Sequence, residues 1–507
     1  MIQRRISESQ ASCRPGVWGG RRPRGGWTQA VLLALAIGLW GLSPAGAPVG
    51  SGAVCSAAGI AAAGSGFQWV YSSLPYPRIS AALPTSDGGF LFAGTVDNSS
   101  DITRDLYVMK IGALGNVQWS RIYGGDFEEN LVHLIPTTDG GFLLIGHTAS
   151  FGPSVPLLVK IDGSGRVQWS RAYRLPFTRS GELVGLVIHR AVVASDGKIL
   201  LVGETNTGGT SWRPFAAKIA EDGTLLWAKE YTQIGPGILF RALDVASTRD
   251  GGGLLVGIGS GLLPFLRSSW DVLAFKMDAN GNAEWAKGYS RGGWIDWAGA
   301  VMRMSDGSFV LSGASEDPNG IDPTAGPWVA RVNSTGVVQW TQRYPKFTDI
   351  MPITQTADGN LLLAGVYHVS NTDSDLLMVR MDPTNGNLLW GRRYGSRSAD
   401  WLDAVVPLAD GGFLLAGASR RSGGLVGQDI YVVRTDAAGS SGCLEAEAMP
   451  QAAPITNWST NDLTIQAADL LVEIEIPPIL EIPEDTQGRP LCIQALTHWL
   501  YLPLIQR

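Results

Sequence analysis

The chain has 507 residues and is short of the side chains that most catalytic and metal sites use: five histidines, four cysteines and only 17% charged residues. It contains no His-x-His, His-Glu-x-x-His or Cys-x-x-Cys pair, so a zinc centre has no local support. No Gly-x-Ser-x-Gly elbow, phosphate-binding loop or dinucleotide fingerprint stands between a strand and a helix. The run Gly257-Ile258-Gly259-Ser260-Gly261 ends a strand and enters a loop, which makes it a turn. Charge of one sign is also missing. The 39 basic and 45 acidic side chains are intermixed at a net charge of -6, with no basic stretch to neutralise a row of phosphates, which argues against nucleic acid. Helix signals are absent, and the leader's apolar run from Ala30 to Leu42 is shorter than the ~20 residues of a spanning helix.

What is present describes a folded, all-β chain. Hydrophobic residues make up 45%, enough for a large core, and 65 glycines and 28 prolines are spread along most of the length, as many short strands and turns require. The first 53 residues read as a leader. Arg4, Arg5, Arg14, Arg21, Arg22 and Arg24 precede the apolar run, and Ala45-Gly46-Ala47 and Ser51-Gly52-Ala53 follow it, in the order of a secretory signal peptide. Arg21-Arg22 lacks the hydrophobic residues that normally follow a twin-arginine signal. Gly52-Ala53-Val54 lacks the small residue expected before a lipidated Cys55. General export is the stronger reading, with residues 54–65 as a linker.

From residue 66 onward the sequence repeats. Asp-Gly pairs stand at Asp87, Asp139, Asp196, Asp250, Asp306, Asp358 and Asp410, at spacings of 52 to 57 residues, and each marks a hairpin, because the turn needs a positive φ that Gly adopts freely. A second mark is a Trp four residues after a Gly: Trp119, Trp169, Trp227, Trp285, Trp340 and Trp390. The second copy is expected to hold four strands, about Leu131 to Thr138, Phe142 to Thr148, Leu157 to Asp162 and Val167 to Tyr173. Four short strands per repeat describe a propeller blade. Trp69 in Gly66-Phe67-Gln68-Trp69 looks like a fourth strand without its first three, and the last copy, Trp401 through Asp436, has three strands and no Trp. The expectation is a seven-bladed β-propeller of four-stranded blades over residues 66–437, closed by an N-terminal strand that completes the last blade and removes two open edges.

The pattern Asp-Gly-Gly-Phe-Leu-Leu-x-Gly, at Asp139 to Gly146 and Asp410 to Gly417, followed by Asp-x-x-Gly-x-x-x-Trp, at Asp162 to Trp169, resembles bacterial secreted propeller repeats of the quinoprotein alcohol dehydrogenase-like group. The resemblance implies architecture rather than activity. A quinone enzyme of that kind would need a calcium-binding carboxylate cluster and a base at the axis, and the alcohol dehydrogenases a vicinal Cys pair. None of these is assignable here, which disfavours pyrroloquinoline quinone. A quinone- or calcium-dependent oxidoreductase at the central channel is the alternative to a non-catalytic scaffold.

The extension 438–507 alternates in Val472-Glu473-Ile474-Glu475-Ile476 before Pro477-Pro478, which favours an edge strand or extended stalk, and its hydrophobic end reads as packing on the propeller. Cys443 and Cys492 are a disulfide candidate in an exported chain.

Candidate sites follow from blade geometry. Loops joining second to third strands, and fourth strands to the next blade, share one face, and both tight turns share the other. The long loops carry Trp212, Trp270, Trp294, Trp297, Tyr367, His368 and Arg420, aromatic and polar groups suited to a sugar, peptide or protein surface. The bland reading of each is a cover for its own blade end. Glu129, Asp296, Asp349 and Asp400 stand nine or ten residues before an Asp-Gly pair, at the starts of first strands. They are candidate calcium ligands at the channel mouth, or acids that complete a turn before a strand. His133, His147, His189, His368 and His498 read as structural or surface residues.

Overall fold

Every Asp-Gly turn closes on a glycine with positive φ, from 75° at Gly197 to 90° at Gly307. In the first of these turns Gly88 donates to the Thr85 carbonyl at 3.0 Å and Thr85 to Gly89 at 2.9 Å. In the computed structural model the described residues lie between 66 and 493; outside them are the segments 73–76, 98–103, 126, 150–154, 175–184, 207–211, 234–239, 261–269, 292–293, 318–325, 345–348, 371–372, 396–398, 421–427 and parts of 443–486. The leader and linker, Cys55, Cys443 and His498 fall outside.

The first strand, β1 (Phe67–Ser72), precedes any repeat. The first repeat is β2 (Arg78–Pro84), β3 (Phe90–Asp97), β4 (Arg104–Ile111) and β5 (Val117–Gly124). The second is β6 (Glu129–Pro136), β7 (Phe142–Thr148), β8 (Val155–Ile161) and β9 (Val167–Arg174), and the third β10 (Gly185–Val193), β11 (Ile199–Asn206), β12 (Trp212–Ile219) and β13 (Leu225–Gln233). The fourth comprises β14 (Phe240–Ser247), β15 (Gly253–Ser260), β16 (Trp270–Met277) and β17 (Ala283–Ser290). The fifth comprises β18 (Ile295–Arg303), β19 (Phe309–Glu316), β20 (Gly326–Val332) and β21 (Val338–Arg343), and the sixth β22 (Asp349–Gln355), β23 (Leu361–Ser370), β24 (Asp373–Met381) and β25 (Leu388–Tyr394). The last has three strands of its own, β26 (Asp400–Pro407), β27 (Phe413–Arg420) and β28 (Gln428–Thr435). Within each repeat, consecutive strands pair antiparallel. The second repeat's first strand starts at Glu129 and ends at Pro136, two residues ahead of expectation at both ends, because Thr137 already belongs to the turn, donating to Gly141 and accepting from Gly140.

The fourth place in the last repeat is filled by β1, whose Phe67 lies opposite Arg434 and Tyr71 opposite Ile430. Register corrects one detail of the sequence reading. In the other repeats the Trp lies opposite the third-strand cation, as Trp119 does opposite Lys110 and Trp390 opposite Arg380. In β1 Phe67 holds that register and Trp69 sits two residues further on. All three aromatics face one way: Trp69 stacks on Tyr71 at 5.9 Å and meets Phe67 edge-on at 6.5 Å.

Hydrophobic cores lie between repeats. Buried clusters join first to second, second to third, third to fourth, fourth to fifth, fifth to sixth and sixth to last. A further cluster sets Leu414 and Val432 of the last repeat with Phe92 and Met109 of the first, around Phe67, Trp69 and Tyr71. Two polar devices recur at these seams. A third-strand cation reaches the Asp of its own Asp-Gly turn: Lys110 to Asp87 at 2.9 Å, Lys160 to Asp139 at 2.9 Å, Lys218 to Asp196 at 2.6 Å and Arg434 to Asp410 at 2.7 Å. The Lys110 ammonium, with the Thr85 hydroxyl, holds the Asp87 carboxyl well below the usual carboxylate range. The second device is a tyrosine hydroxyl that donates to a glycine carbonyl in the next repeat: Tyr71 to Gly115 at 2.7 Å, Tyr123 to Gly165 at 2.6 Å, Tyr173 to Gly223 at 2.6 Å and Tyr231 to Gly281 at 2.9 Å. Tyr289, Tyr344 and Tyr394 donate likewise to Gly336, Gly386 and Gly439.

Burial pushes the Tyr71, Tyr173, Tyr231, Tyr344 and Tyr394 hydroxyls well above their ordinary value. A raised phenol favours folding fully below pH ~10, and that contribution is lost as pH climbs above the unfolded value. In an alkaline titration followed at 295 nm, these phenols are expected to ionise together with unfolding and not at pH ~10. Tyr173→Phe is expected to cost about 1 kcal/mol, read from the urea midpoint.

The tail supplies further strands: β29 (Glu445–Glu447), β30 (Ala453–Pro454), β31 (Ser459–Leu463), β32 (Ile465–Asp469), β33 (Glu473–Glu475), β34 (Leu480–Glu484) and β35 (Gln487–Ile493). They pair antiparallel with β25, β21, β17, β13, β9, β5 and β1, in that order. Pro454, Pro483 and Pro490 fall inside these strands, where an outermost strand tolerates the missing donor.

Candidate functional site

The first strand of each repeat is irregular. Its ladder slips beside Ser80, Val132, His189, Leu243, Gly299 and Asp403, and across Met351-Pro352. A cavity of about 290 Å³ opens between first strands, lined among others by Ser80, His133, Arg190, Pro352 and Asp403. Its arginine faces an internal partner. Arg190 Nε meets Asp244 Oδ1 at 3.0 Å, and Asp244 Oδ2 accepts from the Val301 amide at 2.7 Å. Burial pushes His133 down to about 3, helped by the Arg190 charge, so the imidazole is neutral at physiological pH. Asp403 is exposed at its surface yet desolvated by the strands packed around it, which raises its carboxyl to about 7, against the pull of Arg78.

The other described histidines have structural surroundings or lie on the surface. His147 Nε2 accepts from the Ile188 amide at 2.7 Å, and burial, then the neighbouring His189, lowers it to about 4. His189 lies 3.3 Å from Glu204, which also takes Arg241 at 2.8 Å. His368 is exposed near the end of β23.

Glu129, Asp296 and Asp400 are fully buried at or next to the first residue of their strands. Glu129 accepts from the Gly125 amide at 3.0 Å and the Thr148 hydroxyl at 2.7 Å. Asp296 accepts from the Arg291 amide at 3.0 Å and from the Ser315 hydroxyl, and burial raises it to about 6, with the nearby Asp271 carboxylate adding to the rise. The Asp400 carbonyl accepts from the Ser374 hydroxyl at 2.9 Å. Asp349 opens β22 opposite Val366, and its side chain lies outside the described residues. Among the described residues no group of three or more His, Cys, Asp or Glu side chains is placed to hold a metal ion. For Glu129 and Asp296 the geometry is that of acids tying a loop and the second strand to the start of the first.

The long-loop residues fall in separate places. Trp270 starts β16, half-buried, and its backbone makes a parallel bridge to Ile295, the residue after Trp294. The Arg291 guanidinium lies over the Trp294 ring at 3.8 Å. Trp270, Arg291 and Trp294 therefore belong to one junction, between fourth and fifth repeats. Trp297 sits two residues into β18, half-buried, its carbonyl 1.9 Å from where a Gly313 Cβ would be. Tyr367 lies 5.6 Å from the Arg393 guanidinium, which pairs with Asp375 at 3.0 Å. Arg420 is exposed at the end of β27, its amide donating to Ala399 at 3.0 Å. Trp212 opens β12 opposite Asn206, its side chain outside the described residues. The sequence reading missed Arg291 and Arg393, which sit on fourth-strand exits and carry no motif.

The antiparallel four-stranded repeats and the repeat-family match define this chain as a β-propeller repeat protein. The matching family is described as a domain of unknown function (DUF5122) beta-propeller and covers residues 194–225, the hairpin at Asp196 and the strands after it. No curated protein matches the chain. Among solved structures, a protein of unknown function from Bacteroides caccae is 14% identical, covering 62% of this chain and 99% of its own, at a TM-score of 0.35. The polysaccharide lyase Uly1 is 10% identical over 71% of this chain and 90% of its own, at 0.45. The V. cholerae biofilm matrix protein Bap1 is 11% identical over 76% and 67%, at 0.24. No helix among the described residues is long and apolar enough to cross a membrane.

Proposed function

We propose that the chain is an exported, closed seven-bladed propeller that acts at the cell surface as a non-catalytic binding or structural scaffold, taking a glycan through its long-loop face. Closure is supported by β1 in the last sheet and by the core shared between first and last repeats. The observation that carries the binding reading is the junction of Trp270, Arg291 and Trp294. A cation stacked on one face of an indole fixes the ring, and a fixed, half-exposed aromatic offers a sugar's C–H face a platform at little entropic cost. Strand starts on a rigid scaffold hold the group in place.

A glycan array probed with the purified mature protein tests this. Trp294→Ala and Trp297→Ala are expected to weaken the binding found by at least about tenfold, the cost of losing one aromatic contact, with the melting temperature kept within a few degrees. Undiminished binding by both folded variants would count against this face.

A further inference from the structure

The slips in the first strands share one level. Ser80, Val132, His189, Leu243, Gly299, Met351 and Asp403 each stand seven residues before the Asp of their own Asp-Gly turn, as 87 − 80 = 7 shows for the first. The turns repeat the same chemistry in every copy, whereas the residues at this level are a hydroxyl, an imidazole, a carboxyl and four uncharged groups. A bulge re-aims side chains at a fixed place in the sheet, and differing side chains on a constant frame are how a rigid scaffold carries recognition.

The cavity of about 290 Å³ gathers this level from five repeats and continues along the first strands toward the Asp-Gly turns, through Leu83, Pro136, Val193 and Val405. Two charged side chains line it with capacity to spare. Arg190 is 36% exposed, and the buried Asp244 fixes its Nε at 3.0 Å. A guanidinium held at one nitrogen and otherwise open to solvent suits a carboxylate, whose two oxygens match its fork. Asp403 is exposed, and among the described residues it makes no hydrogen bond or ion pair; Arg78 acts on it only from beyond contact distance. An ammonium group would give this acid the cation it lacks. His133 is neutral at physiological pH and adds no charge. Most of the remaining wall is apolar, with Leu134, Ile135 and Val192 among its residues. A lone anion in this cavity meets Asp403, and a lone cation meets Arg190, so each single charge is opposed. A molecule carrying both charges satisfies both side chains.

We propose that this cavity binds a free amino acid with an apolar side chain, its carboxylate on Arg190 and its ammonium on Asp403. The volume is at the lower limit of ligand pockets, about 300 Å³, which suits a single amino acid rather than a longer chain. The site is separate from the glycan reading, because its residues lie on first strands and none on the long loops.

The test is calorimetric titration of the purified full chain with three probes of one shape: leucine, 4-methylpentanoate, which lacks the amine, and 3-methylbutylamine, which lacks the carboxylate. It is run at pH 8, where Asp403, raised by burial to about 7, is ionised. Leucine is expected to bind at least about tenfold more tightly than either single-charge probe. Asp403→Asn, an exposed change of nearly equal size, should weaken leucine by a similar factor and bring it level with 4-methylpentanoate. Arg190→Gln should weaken leucine and 4-methylpentanoate but not 3-methylbutylamine; because it leaves Asp244 unpaired, its melting temperature is measured alongside. Leucine weaker than about 1 mM, equal binding of leucine and 4-methylpentanoate by the unaltered chain, or an unchanged leucine affinity in folded Asp403→Asn would overturn the proposal.

Discussion

Gly203→Ala is expected to remove about 3–5 kcal/mol of folding stability, enough to abolish a soluble product at 37 °C. Gly203 is the last glycine of its repeat's strand motif, in β11, and its φ is not the reason it is needed. A Cβ there would sit 1.8 Å from the Val187 carbonyl oxygen and 2.8 Å from Ile188 Cα. Both are backbone atoms, so no rotamer change gives relief. The approach is forced by the ladder slip beside His189, which brings the first strand's carbonyl down onto the second strand. Gly94, Gly257, Gly313 and Gly417 meet Arg78, Arg241, Trp297 and Trp401 carbonyls at 1.7 to 1.9 Å in the same way. Chemical denaturation monitored by tryptophan fluorescence is the measurement. Gly140→Ala is the control: its φ is 81° but nothing lies within 4 Å of the added carbon, so only the ~1–2 kcal/mol of left-handed strain applies. Equal losses from both changes would refute the close-approach account.

Trp69→Ala should cost about 3–5 kcal/mol and leave an aggregation-prone chain, while Trp119→Ala costs less. Trp69 is 3% exposed and belongs to the cluster that joins the last repeat to the first. Its indole lies against Gly115, where an added Cβ would be 2.7 Å from the ring. At the next seam Gly165 is covered by Arg121 together with Trp119, and Trp119 is only half-buried, with the Arg121 guanidinium 5.7 Å from its ring. The difference lies in connectivity. Trp119 stands on a strand that a tight turn ties to β4, whereas β1 joins the last repeat through its ladders with β28 and β35, the Tyr431–Gln68 hydrogen bond and packing, with no turn to hold it. Loosening it exposes the edges of β28 and β35 together. Urea midpoints and size-exclusion profiles of the two variants decide it; matching midpoints and profiles would mean that β1 holds no special seam.

Much of this architecture was legible in the chain. The Asp-Gly pairs located the first-to-second-strand hairpin of every repeat because positive φ is a local demand, met at Gly88 as at Gly411. The first-strand acids gave a weaker signal, since Glu129 as a turn-tying group and Glu129 as a calcium ligand have the same sequence. What the structure adds is that Glu129 accepts from the Gly125 amide and the Thr148 hydroxyl at 3.0 and 2.7 Å. The recurrent cations and tyrosines went unread for another reason. Lys110 and Tyr123 satisfy no local rule, and their partners, Asp87 and Gly165, lie 23 and 42 residues away in sequence.

By itself, the sequence determined the repeat, its turns and the strand that the last copy lacks, because these depend on backbone conformations and periodicities confined to a few residues. Tertiary structure alone decided that Phe67 rather than Trp69 takes the repeat's register, that the tryptophans pack under the next repeat's glycines, and that the tail visits every blade. Each of these is a choice among long-range pairings of equivalent edges, and equivalent edges look alike until the whole sheet array is assembled.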